Sequence, residues 1–166
     1  MPSLGFVLAA KPTIAAALWI AYPSKRTLLS AALFGSVCLA VLPDLFRDWL
    51  TVSREANHFS PLILYPWGGP LLLLAALRWR ESDGRLLLAL ACLPRTPLLY
   101  DAMPLFLVAK SWPEALILFL GTALAWPFQR WALAYPWDFR VLVGAYTEMW
   151  CVFLPCLVML LARRKR

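Results

Sequence analysis

The sequence predicts an all-α, polytopic helical membrane protein, organised as a single transmembrane domain over residues 1–166. Hydrophobic residues make up 62% of the chain and the mean hydropathy is +0.69, which exceeds what the core of a soluble domain requires. The apolar residues form continuous runs instead of alternating with polar ones, which excludes a transmembrane β-barrel. Nine Trp and fourteen Pro supply the interfacial rings and helix breaks that are typical of helical membrane proteins.

The net charge of +7 is attributed to topology anchors, not to nucleic-acid binding, because the basic residues lie at the ends of apolar segments. The single histidine, His58, is assigned to a polar loop, with proton transfer as the alternative, and no metal or cofactor is predicted. No basic region precedes the first apolar run, so a cleavable signal peptide is not expected. The four cysteines lack a CxxC pair and are interpreted as small buried hydrophobic residues: Cys38, Cys92, Cys151 and Cys156.

The first half of the chain contains three predicted membrane spans. The first covers residues 4–22 and the second covers residues 28–42. Residues 47–60 form the long polar stretch of the chain and are predicted to be a loop. The third span covers residues 61–77 and contains the sequence YPWGGP at 65–70, which is interpreted as a packing kink that lets backbones approach closely.

The stretch from residue 85 to residue 110 is apolar enough to cross a membrane, yet its middle contains prolines and charges. A spanning helix loses backbone hydrogen bonds at proline, and charges are costly in hydrocarbon. We therefore predict a short helical hairpin at residues 86–109, which enters and leaves the membrane on one side. The residues that break the stretch are Pro94, Arg95, Pro97, Asp101 and Pro104.

Two further spans are predicted in the second half, at residues 114–126 (or to 128) and 139–162. The connector between them, residues 129–138, is rich in Trp and Tyr, whose rings settle at the level of the lipid headgroups. With the two arms of the hairpin, the chain is predicted to have about seven membrane segments.

The distribution of basic residues predicts the orientation. With the hairpin, ten Lys and Arg residues fall on one side of the membrane and five on the other, which is the bias expected for a cytoplasmic side. A single crossing would instead separate the basic turn at 78–85 from the basic tail at 163–166. The N-terminus is thus expected outside, the C-terminus in the cytoplasm, and the protein in a bacterial inner membrane.

Three charged residues in the external half form the candidate binding site: Lys11, Arg95 and Asp101. Two cations and one carboxylate near a water-accessible face suit an anionic headgroup, above all a phosphate. The alternative is structural. In that interpretation Lys11 extends to the interface as an anchor, and Arg95 pairs with Asp101 to hold the turn of the hairpin.

The sequence Lys11-Pro12-Thr13, near the outer end of a span, resembles the KP helix of GT-C glycosyltransferases of the polyprenyl-phosphate-mannose-dependent (glycosyltransferase 87-like) type. The run from Gly69 to Leu87 and the sequence PLLYD at 97–101 are similar to that family's downstream helices and its SP…YD turn. The resemblance covers roughly residues 7–125. It implies an integral membrane enzyme that uses a lipid-phosphate sugar, with these basic residues near the phosphate of a polyprenyl lipid.

The sequence departs from the family in ways that bear on catalysis. Thr96 stands where the family usually has Ser, and the His often found near the Asp is absent. The family's catalytic Asp belongs to a loop in an N-terminal half that this chain is expected to lack. A general base must lie within hydrogen-bond reach of its acceptor. The catalytic residue stays unknown, because none of the external carboxylates matches the catalytic position: Asp44, Asp48, Glu55, Asp101 and Asp138.

The function expected from these observations is binding, with the question of enzymatic activity left open. The chain would correspond to the C-terminal half of a lipid-linked-sugar glycosyltransferase that binds a lipid phosphate or a partner and does not catalyse alone. The alternative is a small accessory or scaffold subunit of a larger membrane complex. The expected partners are membrane lipids, including polyprenyl phosphate, and other membrane subunits, and no nucleic acid. A proton-coupled carrier is a third option, although the sequence lacks the internal repeat that many carriers have.

Overall fold

The computed structural model describes residues 12–44, 47–48, 51, 60–94 and 99–163. Within these ranges every regular element is a helix and none is a strand, which confirms the predicted all-α class. The predicted loop at 47–60, including His58, lies almost wholly outside the described residues. The α-helices are α1 (Pro12–Ala21), α2 (Lys25–Val41), α3 (Ser82–Cys92), α4 (Trp112–Ala132) and α5 (Trp137–Ala162).

Three further stretches wind as 3-10 helices, at Leu62–Leu64, Gly69–Arg78 and Leu99–Val108. The predicted kink at 65–70 separates the first of these helices from the second. Its Gly68 has a φ of +111°, and Gly69 lies against the carbonyl group of Leu62. A 3-10 helix rises about 2.0 Å per residue instead of about 1.5 Å. Each ten-residue 3-10 helix therefore covers about 20 Å, more than an α-helix of equal length.

Helix α5 has 26 residues and, among the described residues, is the one helix both long and apolar enough to cross a membrane. Its length is about 39 Å at about 1.5 Å per residue. Core helices of soluble proteins reach the same length and composition, so α5 allows a membrane location without requiring one. The sequence predicted about seven membrane segments. In the structure, the segments around residues 69–78 and 99–108 are shorter apolar helices, because prolines and glycines interrupt them.

A five-residue π turn, Met149–Phe153, interrupts α5 near its middle. Pro155 has no N–H to donate to the carbonyl group of Cys151, so the regular helical ladder cannot continue through this point. Gly121 of α4 packs directly on that carbonyl group, and an added Cβ there would overlap its oxygen. The sequence prediction placed a clean span here and missed the π turn.

The core lies between α1, α3, the two longer 3-10 helices and the second half of α5. Helix α2 contributes no buried residue to it. The prediction of four buried cysteines was wrong in part: Cys156 is buried, Cys92 and Cys151 are partly buried, and Cys38 is exposed on α2. The side chains at the centre of the core are Leu72, Leu86, Leu90, Leu105, Phe153 and Leu160.

Candidate functional site

The structure describes one of the three predicted site residues. Asp101 lies in the 3-10 helix Leu99–Val108 and is fully buried. Lys11 and Arg95 lie outside the described residues, so their proximity to Asp101 stays a prediction. The burial of Asp101 is unexpected for a carboxylate at a water-accessible face, because burial of a charge requires partners within the protein.

The described residues next to Lys11 and Arg95 do lie at one end of the fold. Arg85 donates from Nε to the carbonyl oxygen of Ile20 at 3.2 Å and from Nη2 to that of Ala21 at 2.9 Å. These bonds place the C-terminal end of α1 at the N-terminal end of α3, so the two packed helices run in opposite directions. The start of α1 therefore lies toward the end of α3.

A cluster of charged side chains, absent from the sequence predictions, closes the other end. We call it the charged clamp: Arg78, Asp83, Lys110, Glu114 and Arg163. Asp83, whose side chain is 7% exposed, accepts from Lys110 Nζ at 3.1 Å and from Arg163 Nη1 at 3.0 Å. One buried carboxylate thus joins the start of α3 to the end of α5 and to Lys110, which lies two residues after the 3-10 helix Leu99–Val108.

Arg163 and Glu114 extend the charged clamp to α4. Arg163 Nη2 donates to Glu114 Oε2 and to the carbonyl oxygen of Val108, each at 2.6 Å. Glu114 also accepts from the backbone N–H of Lys110 at 2.6 Å, which satisfies a donor just before α4 begins. Charge-assisted bonds of this kind are short and strong. They therefore fix α3, the 3-10 helix Leu99–Val108, α4 and the end of α5 relative to one another.

Arg78 caps the C-terminal end of α5. It is 6% exposed, pairs with Glu81 at 2.7 Å, and donates from Nη2 to the carbonyl oxygens of Leu161 and Arg163. Carbonyl groups at the end of a helix lack partners within the helix, and a cation there also interacts favourably with the helix dipole. Gly84 allows this geometry, because an added Cβ would overlap the carbonyl oxygen of Arg78.

The charged clamp shows the course of the segment from residue 82 to residue 110. The ion pair between Lys110 and Asp83 brings its two ends together, and α3 packs against the 3-10 helix Leu99–Val108. The chain therefore leaves and returns to the same end of the molecule, as the predicted hairpin at 86–109 requires. The carboxylates were the missed signal, since Asp83 and Glu114 stand at the edges of apolar runs.

A second buried polar group lies beside the π turn. Glu148 is fully buried directly before this turn, and Tyr65 and Tyr146 meet edge to face with ring centroids 5.6 Å apart. Gly68 packs against Met149, which confirms that the YPWGGP stretch is a packing kink. Within the described ranges, no three His, Cys, Asp or Glu side chains are grouped as metal ligands.

The turn between α4 and α5 forms a third group, which we call the aromatic turn: Arg130, Trp131, Tyr135, Phe139 and Arg140. The ring centroids lie 4.6 Å apart for Trp131 and Tyr135, and 4.9 Å apart for Tyr135 and Phe139. Trp131 and Phe139 lie 5.7 Å apart. Helix α4 continues to Ala132, so the predicted connector at 129–138 is shorter than expected.

No protein-family model, no curated protein and no solved structure matches this chain. The resemblance to GT-C glycosyltransferases thus stays a prediction. The arrangement of the described side chains fixes helices and buries charge.

Proposed function

We propose that this chain is an integral membrane protein that acts as an accessory subunit, binding partner helices and not catalysing by itself. The observation that supports the proposal is α2, a 17-residue helix without a buried residue. Its Leu29 and Leu33 are each 70% exposed and its Val41 is 68% exposed. An isolated apolar helix in water buries too little surface to offset its conformational entropy. Lipid or a partner protein must cover it.

The surface of α4 supports the membrane location. Trp112, Phe119 and Leu124 are 73%, 60% and 62% exposed. Large apolar surfaces of this kind mark membrane or protein interaction sites, not the outside of a soluble monomer. We infer that α4 and α5 cross the membrane side by side, with α2 as a further membrane helix. The expected total of about seven segments, counting the hairpin arms, belongs to this proposal.

The proposed orientation follows from the charged clamp. Arg78, Lys110 and Arg163 meet at the end of the fold where α1 also ends. Lys25 and Arg26 begin α2 after a three-residue connection from α1. Because basic residues accumulate on the cytoplasmic side, we assign this end to the cytoplasm of a bacterial inner membrane. The segment from 82 to 110 then enters from the cytoplasm and returns to it.

Alkaline carbonate extraction tests the membrane location. The chain is expected to stay in the membrane fraction, and release would contradict the membrane location.

Cross-linking tests the accessory role. A photo-reactive residue at Leu33, on the exposed α2, is expected to cross-link to one protein of constant identity. The matched control is the same residue at Leu72, which is fully buried and should give no intermolecular product. Lipid adducts alone from position 33 would contradict the accessory role and keep the membrane location.

Orientation gives the next prediction. Single cysteines in a background without the four native ones are labelled from either side of the membrane. We expect position 96 to react only from outside and position 80 only from the cytoplasm, because the proposed orientation puts the predicted hairpin turn outside and the basic turn at 78–85 in the cytoplasm. Labelling of position 96 only from the cytoplasm would contradict the hairpin orientation.

A second candidate function is binding of a lipid phosphate, such as polyprenyl phosphate, by Lys11, Arg95 and Asp101. The observation in its favour is the direction of α1 and α3, which brings the described residues flanking both cations toward one end. A charge in hydrocarbon costs about 2.5–3.5 kcal/mol on insertion scales, so each cation needs a partner. One carboxylate serves only one cation fully, and a lipid phosphate would complete the site.

Lys11→Ala tests this second candidate. We expect polyprenyl phosphate to raise the thermal stability of the wild-type protein in detergent and to lose most of this effect on Lys11→Ala. Lys25→Ala is the matched control, since Lys25 lies at the start of α2 at the cytoplasmic end. Equal stabilisation of wild type and Lys11→Ala would show that Lys11 is only an anchor.

A further inference from the structure

The aromatic turn differs from the charged clamp in how its arginines are partnered. In the clamp, Arg78 and Arg163 bond to carboxylates and carbonyl groups of this chain. In the aromatic turn, Arg140 donates from Nε to the carbonyl oxygen of Tyr135 at 2.6 Å, which fastens the turn. Its Nη1 and Nη2 groups form no bond within the described part of the chain.

Arg130 likewise makes no ion pair or side-chain hydrogen bond within the described ranges. The nearest acid in sequence is Asp138, in the first turn of α5, and it pairs with neither arginine. Two cations without a carboxylate partner therefore stand, in sequence, directly before and directly after the segment that carries the three packed rings. Their donors are available to an anion from outside the chain.

We propose that the aromatic turn binds the phosphate group of an anionic phospholipid at the membrane–water interface. This inference rests on the membrane location proposed above. The aromatic turn comprises the end of α4 and the first turn of α5, the membrane-length helix, so its level coincides with the end of the hydrocarbon region. Trp and Tyr rings favour this level because one part of each ring is apolar and the other part accepts or donates hydrogen bonds.

The chemistry of the two arginines specifies the lipid. A guanidinium group presents several donors in a plane and binds phosphate oxygens in a bidentate manner. Two cations with only Asp138 nearby leave a positive surface, which complements a headgroup with a net negative charge. Phosphatidylglycerol fits this description, whereas phosphatidylcholine carries its own compensating cation.

Native mass spectrometry of the full chain in detergent tests the proposal, with phosphatidylglycerol, phosphatidylcholine and diacylglycerol as probes. We expect wild type to retain phosphatidylglycerol best and diacylglycerol, which lacks phosphate, least. Each basic residue near an anionic surface contributes about fivefold in affinity, so Arg130→Gln should weaken phosphatidylglycerol binding about fivefold. Trp131→Leu should weaken the binding of both phospholipids, because it removes the ring that positions the headgroup.

The matched control is Arg80→Gln, which removes an exposed arginine without side-chain bonds at the opposite end. Arg130→Gln is preferred to Arg140→Gln because Arg140 also fastens the turn, and Arg140→Lys preserves the charge. Weaker phosphatidylglycerol binding by Arg130→Gln, with unchanged binding by Arg80→Gln, supports the site. Unchanged binding by Arg130→Gln, or equal loss in Arg80→Gln, would overturn it. Either result leaves the membrane location intact, which only release by carbonate would contradict.

Discussion

Replacing Asp83 with Ala is expected to lower the free energy of unfolding by about 3 kcal/mol, because it leaves two cations without their shared carboxylate. Asp83 is 7% exposed at its side chain and pairs with Lys110 and Arg163. Removing one partner of a buried ion pair costs about 3–5 kcal/mol in general. The lower end applies here, because Arg163 keeps Glu114 and Lys110 is 55% exposed.

The matched control is Asp44→Ala. Asp44 pairs with Arg47 at 3.9 Å, and their side chains are 89% and 81% exposed. Exposed pairs contribute about 0–1 kcal/mol, so this variant should unfold close to wild type. Chemical unfolding in mixed micelles measures both. Equal stability of the two variants would show that the charged clamp does not hold α3, α4 and α5 together.

The charged clamp also shows what the sequence alone could not predict. Its ion pairs join residues 27, 49 and 80 positions apart, and no local pattern specifies such pairings. The return of the segment from 82 to 110 to the end where it began was predictable, because proline and charge within an apolar run interrupt a helix. The basic residues were recognised as anchors, but Asp83 and Glu114 were not recognised as their partners.

Helix winding was predictable only where a residue imposes it. The kink at 65–70 follows from Gly68, whose positive φ few other residues adopt. The continuation of that segment as a 3-10 helix depends on tertiary packing, which the sequence did not reveal. Pro155 indicated an interruption in α5, but the sequence prediction treated the apolar run around it as one continuous span. The candidate site stays largely a prediction, because Asp101 alone of its three residues is described.

Gly121→Ala is expected to destabilise the packing of α4 on α5 by about 1–3 kcal/mol. An added Cβ at Gly121 would overlap the carbonyl oxygen of Cys151 and lie 3.0 Å from its carbonyl carbon. The obstacle is backbone at the π turn, so no side chain can rotate to make room. The helices must separate, although alanine alone would favour helix formation by about 0.8–1.0 kcal/mol over glycine.

Gly35→Ala separates these two effects. Gly35 lies in α2 with no atom within 4 Å of an added Cβ, so this substitution only improves helix propensity. We expect Gly35→Ala to unfold in detergent at the wild-type point or slightly above it, and Gly121→Ala to unfold earlier. If the proposed partner helix packs closely on α2, Gly35→Ala should instead be less stable than wild type in the intact complex, since small residues permit close approach. Stabilisation by Gly121→Ala would contradict the close contact between α4 and the π turn.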